Sequence, residues 1–282
     1  MPKRRKFTLI SVDLDDLWTI ASLTPIAATG SILAEAVNNA LNLFDEFGIK
    51  ATFFAIAADY KEHDKKAIIS SIINAGHEIA NHSLLHRYYQ TLDEDEIRRD
   101  IVESTKILED CVQCPILGFR APGGGCNRVV LDTLEDLGYQ YDASWFPSPW
   151  GIILRHYHSL RSQRKTYLFG SLSENLGIRP KTSLQLMPLP TVASLPFYGT
   201  VHLYPPIGMG LFSVQYRLAK RYEVISYIFH AIDFADTEKY LSGSRFDILS
   251  IPFEQKTRRL RQVLDKLTEG RISERMKDWQ AR

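Results

Sequence analysis

Cysteine is scarce in this chain, with three residues in 282. Three cannot form a disulfide framework. Cys111 and Cys114 do make a CxxC, but it follows a helical run and precedes a strand-like one. A redox pair belongs at a helix N-terminus, where the dipole favours thiolate. No second pair exists for a zinc knuckle. Net charge is also nearly absent, at +1, which gives nucleic-acid binding no overall electrostatic support. No run reaches the roughly 18 apolar residues that a membrane helix needs. The opening Met1 to Lys6 is basic, but the apolar run after it is cut by Asp13. That is too short for a signal-peptide core, so the expected compartment is the cytoplasm. Internal repeats and low-complexity tracts are lacking too.

What is present is an ordinary globular composition, 45% hydrophobic and 24% charged, at a length that α/β barrels often fill as one unit. Phe7 to Val12 reads as a buried strand. A helix follows, with Leu33, Ala36, Val37, Ala40, Leu41 and Phe44 at helical spacing and Gly48 as its stop. "KATFFAIA", "HEIAN", "PILGFR" and "YQYDAS" read as further strands, separated by helical runs. In one of these helices Thr91 and Glu94 have capping-box spacing. Strand and helix alternate to about residue 145, which predicts βαβ units and a mainly parallel sheet. An open doubly wound sheet and a closed barrel both fit this order. From Trp145 to about Glu223 the alternation fails among many prolines. "EVISYIFHA" then resumes as a strand, and Leu260, Val263, Leu264 and Leu267 mark an amphipathic terminal helix.

In such folds ligands sit at the C-terminal ends of the strands. Those ends carry Asp13, Asp15 and Asp16, then His82 and His86, Arg120, Asp142 and His230. Every one is titratable or charged. Three crowded carboxylates repel one another unless a cation compensates. "NHSLLH" places two imidazoles four residues apart, on one face if the turn is helical. Two imidazoles and one carboxylate make a three-ligand site for a divalent metal, with a position left open if it is zinc. Asp13 itself reads as a cap of the following turn. His202, among prolines in "TVHLYPP", reads as a loop residue.

The motifs resemble those of the polysaccharide deacetylases with a NodB homology domain, carbohydrate esterase family four. "DLDD" resembles the family's TFDD, "HSLLH" its H-S/T-x-x-H, "RAPGG" its arginine–proline motif, "DASW" its D-x-x-W, and "YIFH" its last motif. The resemblance implies a distorted, incomplete (β/α) barrel over residues 1–255, elaborated at about 146–222. A basic helix and tail over 256–282 would follow. It implies hydrolysis of an N-acetyl group from an amino sugar. Asp16, His82 and His86 would hold the metal, with zinc expected. Asp15 would be the base and Arg120 would keep it ionised. His230 would be the acid, and Asp142 would orient Arg120 or His230. A backbone N–H near Gly123 would hold the oxyanion, while Trp145 and Ile228 would wall the acetyl pocket. Departures are Leu17 where the family has Gly, Gly123 where it has Tyr, and Ile228 where it has Leu. Two alternatives stay open: a metal-free amidohydrolase of the allantoinase-like branch, and a non-catalytic sugar-binding relative.

Two segments set apolar residues beside basic ones. Trp145, Phe146, Trp150, Ile152, Ile153 and Leu154 adjoin Arg155 and Arg161. Ile207, Met209, Leu211 and Phe212 adjoin Arg217, Lys220 and Arg221. Lys256 to Arg282 holds nine Lys or Arg against four Asp or Glu. Such patterns suit peripheral contact with an anionic leaflet. The substrate would then be an N-acetylated amino sugar of an envelope glycan or of its polyprenyl-phosphate-linked precursor, met at the inner face of the membrane. The competing reading packs the apolar residues under the barrel and solvates the charges.

Overall fold

The computed structural model describes residues 5–19, 30–61, 63–145, 184–204, 206–240 and 251–280. The strands are β1 (Phe7–Asp13), β2 (Ala51–Ala55), β3 (Glu78–Asn81), β4 (Gly118–Phe119), β5 (Tyr141–Asp142), β6 (Gln185–Leu186), β7 (Thr191–Val192), β8 (Leu195–Pro196), β9 (Val224–His230) and β10 (Ile272–Ser273). The helices are α1 (Leu33–Glu46), α2 (His63–Asn74), α3 (Glu94–Val112), α4 (Arg128–Asp136), α5 (Gly199–Leu203), α6 (Gly208–Ala219), α7 (Ala231–Phe234), α8 (Phe253–Thr268) and α9 (Met276–Gln280). Strand neighbours follow the order β10, β1, β2, β3, β4, β5, β6, with β9 also on β1; β7 and β8 pair apart. This is the predicted parallel βαβ order. Among the described residues no pairing joins β6 to β9, and β4, β5 and β6 are two residues each. The barrel is therefore incomplete and distorted. No described helix is long and apolar enough to cross a membrane.

The chain divides into two compact units. The first comprises Met1–Phe53, Ser70–Glu78 and Pro196–Met276. Its spine is β1, buried at all seven positions, as a parallel strand covered on both faces must be. β1 runs parallel to β9 in unbroken register from Phe7↔Val224 to Asp13↔His230. That register sets Asp13 opposite His230 at the C-terminal ends of both strands. α1 buries Leu33, Ala36, Val37, Ala40, Leu43 and Phe44; Leu43 takes the inward place expected for Leu41. A file of aromatic rings fills the core. Phe44 lies 5.6 Å from Phe234, Phe234 5.2 Å from Phe229, Phe229 4.8 Å from Tyr227, and Tyr227 5.0 Å from Phe197.

The C-terminal segment is not a solvated basic tail. β10 pairs with β1 through Phe7↔Ile272 and Thr8↔Ser273. Lys256 is fully buried, its ammonium donating to the carbonyls of Ile232 and Ala235. Burial pulls its pKa down to about 8, against the pull of Asp233 and other acids. Arg259 donates to Leu203 O, Arg261 pairs with Glu46, and Arg271 donates to Phe7 O and Glu223 O, each at 2.9 Å. Much of the charge that the sequence offers to lipid is spent on holding the fold.

The second unit comprises Phe54–Ile69, Ile79–Leu195 and Lys277–Arg282. Its longest helix, α3, begins at a capping box of Asp93 and Glu96. The expected cap, Thr91, instead lies in a 3₁₀ turn and donates to Tyr88 O. Cys111 ends up near the C-terminal end of α3, and Cys111 and Cys114 are both free thiols. Of the stretch from 146 to 183, with the aromatic and basic residues noted above, nothing falls among the described residues.

Candidate metal and catalytic site

Asn81, the last residue of β3, shapes the histidine loop. Its amide donates to Ser104 Oγ at 2.8 Å and Tyr139 OH at 2.9 Å, and its Oδ1 accepts from the Ser83 N–H at 2.8 Å. Asp100 on α3 accepts from the Leu84 N–H at 2.9 Å and from Tyr89 OH at 2.8 Å. Burial raises the Asp100 pKa, and those two hydrogen bonds oppose the rise. Ser83 Oγ accepts from the His86 N–H at 2.9 Å. Ser83 and His86 have φ of 72° and 51°, uncommon for side chains with a Cβ. The loop is therefore not the helical turn expected from the i, i+4 spacing. The two rings still meet, with centroids 5.0 Å apart. Neighbouring side chains bend the backbone rather than a helix aligning it.

His82 is buried and its Nδ1 lies 2.7 Å from Arg120 O. A carbonyl can only accept, so Nδ1 donates and Nε2 keeps its lone pair. This is the tautomer that a metal-binding imidazole needs, oriented by its other nitrogen. His82 and His86 each offer an imidazole nitrogen, and Asp15, just past the end of β1, offers a carboxylate. One carboxylate and two imidazoles, one of them fixed in tautomer, fit a divalent cation of borderline softness.

Asp16 was expected as the carboxylate ligand. Its Oδ1 accepts from the N–H of Leu17 at 2.8 Å and of Ile32 at 3.0 Å, and the residue is 1% exposed. One of its two oxygens is thus held by two backbone donors. Asp13, read as a turn cap, is the buried last residue of β1 opposite His230. The Asp-x-Asp spacing at a strand end was the signal for it.

Arg120 is 2% exposed, so it is no surface charge. Its Nε donates to Ala143 O at 3.3 Å and its guanidinium lies 3.9 Å from the centre of the Phe54 ring. Asp142 is fully buried. Burial pushes its carboxyl up to about 6, while hydrogen bonds from Ser144 and Cys126 and the charge of Arg120 pull it back.

His230 is half-buried. Its Nδ1 lies 3.1 Å from Thr200 Oγ1, and its backbone N–H donates to Asp233 Oδ2 at 2.9 Å. His202 is different. It is a fully buried residue of α5, not a loop residue, bonded to Tyr227 OH at 2.8 Å and Gln215 Oε1 at 2.7 Å. Burial depresses its pKa to about 4. It is a satisfied core histidine. Ile228 is buried on β9 and bridges to Tyr198, and Trp145 is half-buried.

Gly123 sits at φ 60°, and a Cβ there would lie 2.6 Å from the Tyr88 ring. Tyr88, which nothing in the sequence singled out, occupies the space into which a side chain at 123 would project. Gly123→Ala is expected to lower the melting temperature, because the left-handed backbone costs roughly 1–2 kcal/mol with a Cβ and the ring must also move. Combining it with Tyr88→Ala should recover the steric part only, and a double-mutant cycle by thermal unfolding measures that coupling.

Residues 10–141 match the family model described as polysaccharide deacetylase. Those residues belong to the polysaccharide deacetylase family. The family segment holds the three aspartates, both histidines of the loop, Arg120 and Gly123; Asp142 and His230 lie past its end. The chain is 33% identical over 110 residues to a peptidoglycan-N-acetylglucosamine deacetylase of Bacillus cereus, covering 39% of this chain and 50% of that protein. It is 29% identical over 99 residues to a chitooligosaccharide deacetylase of Sinorhizobium fredii, covering 35% and 45%. The chain thus spans about half the length of the curated relatives it matches. Among solved structures, a Mycobacterium smegmatis protein classed with the polysaccharide deacetylases aligns with a TM-score of 0.63 at 18% identity, covering 100% of this chain and 91% of that one. At that identity the likeness is one of fold, and the fold is the distorted, incomplete (β/α) barrel of this family.

Proposed function

We propose that this chain is a metal-dependent N-deacetylase of an amino sugar, most simply an N-acetylhexosamine of an envelope glycan or of its polyprenyl-phosphate-linked precursor at the inner membrane face. The observation that carries the reading is the convergence of the His82 and His86 rings, with His82 held as the Nδ1–H tautomer. The same convergence favours it over a metal-free amidohydrolase and over a non-catalytic binder. The relatives named above are by their descriptions a peptidoglycan-N-acetylglucosamine deacetylase and a chitooligosaccharide deacetylase.

Asp15, His82 and His86 would hold the cation, with zinc the metal best matched to two imidazoles and a carboxylate. When bound, such a cation polarises a carbonyl and lowers the pKa of water. With Asp15 assigned as a ligand and one Asp16 oxygen held by backbone donors, the base is assigned to Asp13, a buried carboxylate of the same run. Asp13 takes the proton of the attacking water. His230, opposite Asp13 in the ladder, gives a proton to the amine nitrogen as the C–N bond breaks, releasing acetate and the free amino sugar. A backbone N–H near Gly123 faces the oxyanion that forms on the acetyl carbon. Asp142 is assigned to orient Arg120, whose carbonyl holds the His82 ring. Trp145 and Ile228 are assigned to the walls around the acetyl methyl.

The test is acetate release from N-acetylated chitooligosaccharides. Dialysis against a chelator should abolish it, and added Zn²⁺ should restore it, with metal content following activity. Full activity in protein shown to be metal-free would overturn the metal reading, and no release from any N-acetylated sugar in metal-loaded protein would overturn the deacetylase reading.

A further inference from the structure

Ten large apolar side chains are exposed among the described residues, and four of them fall between 207 and 222: Ile207 at 77%, Val214 at 56%, Leu218 at 39% and Tyr222 at 61%. Ile207, Val214 and Leu218, with half-buried Leu211, recur at helical spacing along the outer side of α6. This stripe is not needed to hold the helix. α6 buries the opposite side, Phe212, Gln215, Tyr216 and Ala219. Phe212 stacks on Phe197 at 5.9 Å, and Gln215 bonds His202 at 2.7 Å. A surface helix ordinarily turns polar residues outward, and a cluster of exposed apolar ones marks an interaction face. The sequence reading chose Phe212 for such a face; the structure buries it and presents Val214, Leu218 and Tyr222 instead.

The charge beside the stripe has one sign. From 207 to 222 there is no Asp or Glu. Arg217, Lys220 and Arg221 are exposed at its C-terminal end, and none of the three is ion-paired among the described residues. They line a groove of about 540 Å³ with Lys6, Tyr216, Glu269 and Arg271. Its one acid, Glu269, is paired with Lys266 at 3.0 Å. Its Arg271 is pinned by the carbonyls of Phe7 and Glu223, which fixes a cation at the groove wall. The groove lies by the N-terminal ends of β1 and β9, and Asp13 and His230 lie at the opposite ends of the same strands.

We propose that the outer face of α6 docks on an anionic phospholipid surface, with Ile207, Val214, Leu218 and Tyr222 entering the boundary between headgroups and acyl chains and Arg217, Lys220 and Arg221 resting on the phosphates. Apolar residues beside unpaired cations are what such a boundary selects. A second copy of the chain fits less well: an isologous contact on this face would set the same cations against one another. A free phosphate would leave the apolar stripe uncovered. The inference concerns a surface of one unit and stands whatever reaction the chain performs.

Vesicle flotation tests it. The protein should float with vesicles of phosphatidylglycerol and phosphatidylcholine, not with phosphatidylcholine alone, and rising salt should release it. Each of Arg217→Gln, Lys220→Gln and Arg221→Gln should weaken partitioning about fivefold. Leu218→Ser should weaken it roughly tenfold, with thermal unfolding close to that of the parent because the residue lies outside the core. Three results would overturn the proposal: no flotation with either vesicle, equal binding by the triple Gln variant, or a dimer in solution that Leu218→Ser dissociates.

Discussion

Asp15→Asn is expected to remove metal binding and to cut N-deacetylation by roughly 10³-fold or more, a barrier increase of about 4 kcal/mol, while the protein stays folded. Asparagine keeps the shape and one acceptor oxygen but loses the charge that offsets a divalent ion. The residue is only half-buried, so its neutral replacement costs little in packing. Asp16 gives the opposite pattern. Its carboxylate accepts from the buried N–H groups of Leu17 and Ile32, and hydrogen bonds to a charged group contribute about 1.5–3 kcal/mol each way they are lost. Asp16→Ala should therefore lower the melting temperature clearly yet leave metal affinity near that of the parent. Titration calorimetry with Zn²⁺ and thermal unfolding of the two variants separate the roles. Metal lost in Asp16→Ala and retained in Asp15→Asn would restore the assignment made from adjacent aspartates alone.

That exchange shows what was legible in the sequence and why the rest was not. Alternating apolar runs and helical spacings gave the parallel βαβ order, because burial on both faces of a strand leaves a one-dimensional trace, as in the seven buried residues of β1. Residue types at strand ends gave the rim. What one dimension could not give was the direction of a side chain after a strand stops. Nothing in the run Asp13, Asp15, Asp16 marks Asp16 as the one whose oxygen meets the amides of Leu17 and Ile32. The histidine loop failed in the same way. An i, i+4 pair reads as helix, but hydrogen bonds accepted by Asn81, Asp100 and Ser83 fold it through positive φ, and one of those partners, Asp100, lies 16 residues from the amide it holds, a gap that no local pattern records. Lys256 and Arg271 are the same lesson on charge. Counted along the chain they make a basic tail; in the fold they are donors to buried carbonyls.

His230→Ala should slow hydrolysis of an N-acetylated sugar by about 10²–10⁴-fold and barely affect an activated ester such as p-nitrophenyl acetate. The asymmetry follows from the leaving group. An amine must be protonated as its C–N bond breaks, and a positioned acid contributes about that factor; p-nitrophenolate departs without a proton. Asp13→Asn should slow both substrates alike, because water must lose its proton in either case. The two residues are neighbours in the β1–β9 register, so a merely structural disturbance would impair both activities whichever residue were changed. Thr200, at 3.1 Å from His230 Nδ1, offers an internal control. Thr200→Val should reproduce a weaker form of the His230 pattern, slowing the amide and sparing the ester, because it loosens the ring without removing the acid. Equal losses on amide and ester in His230→Ala would take the acid role from His230, and a loss in Asp13→Asn confined to the amide would transfer that role to Asp13.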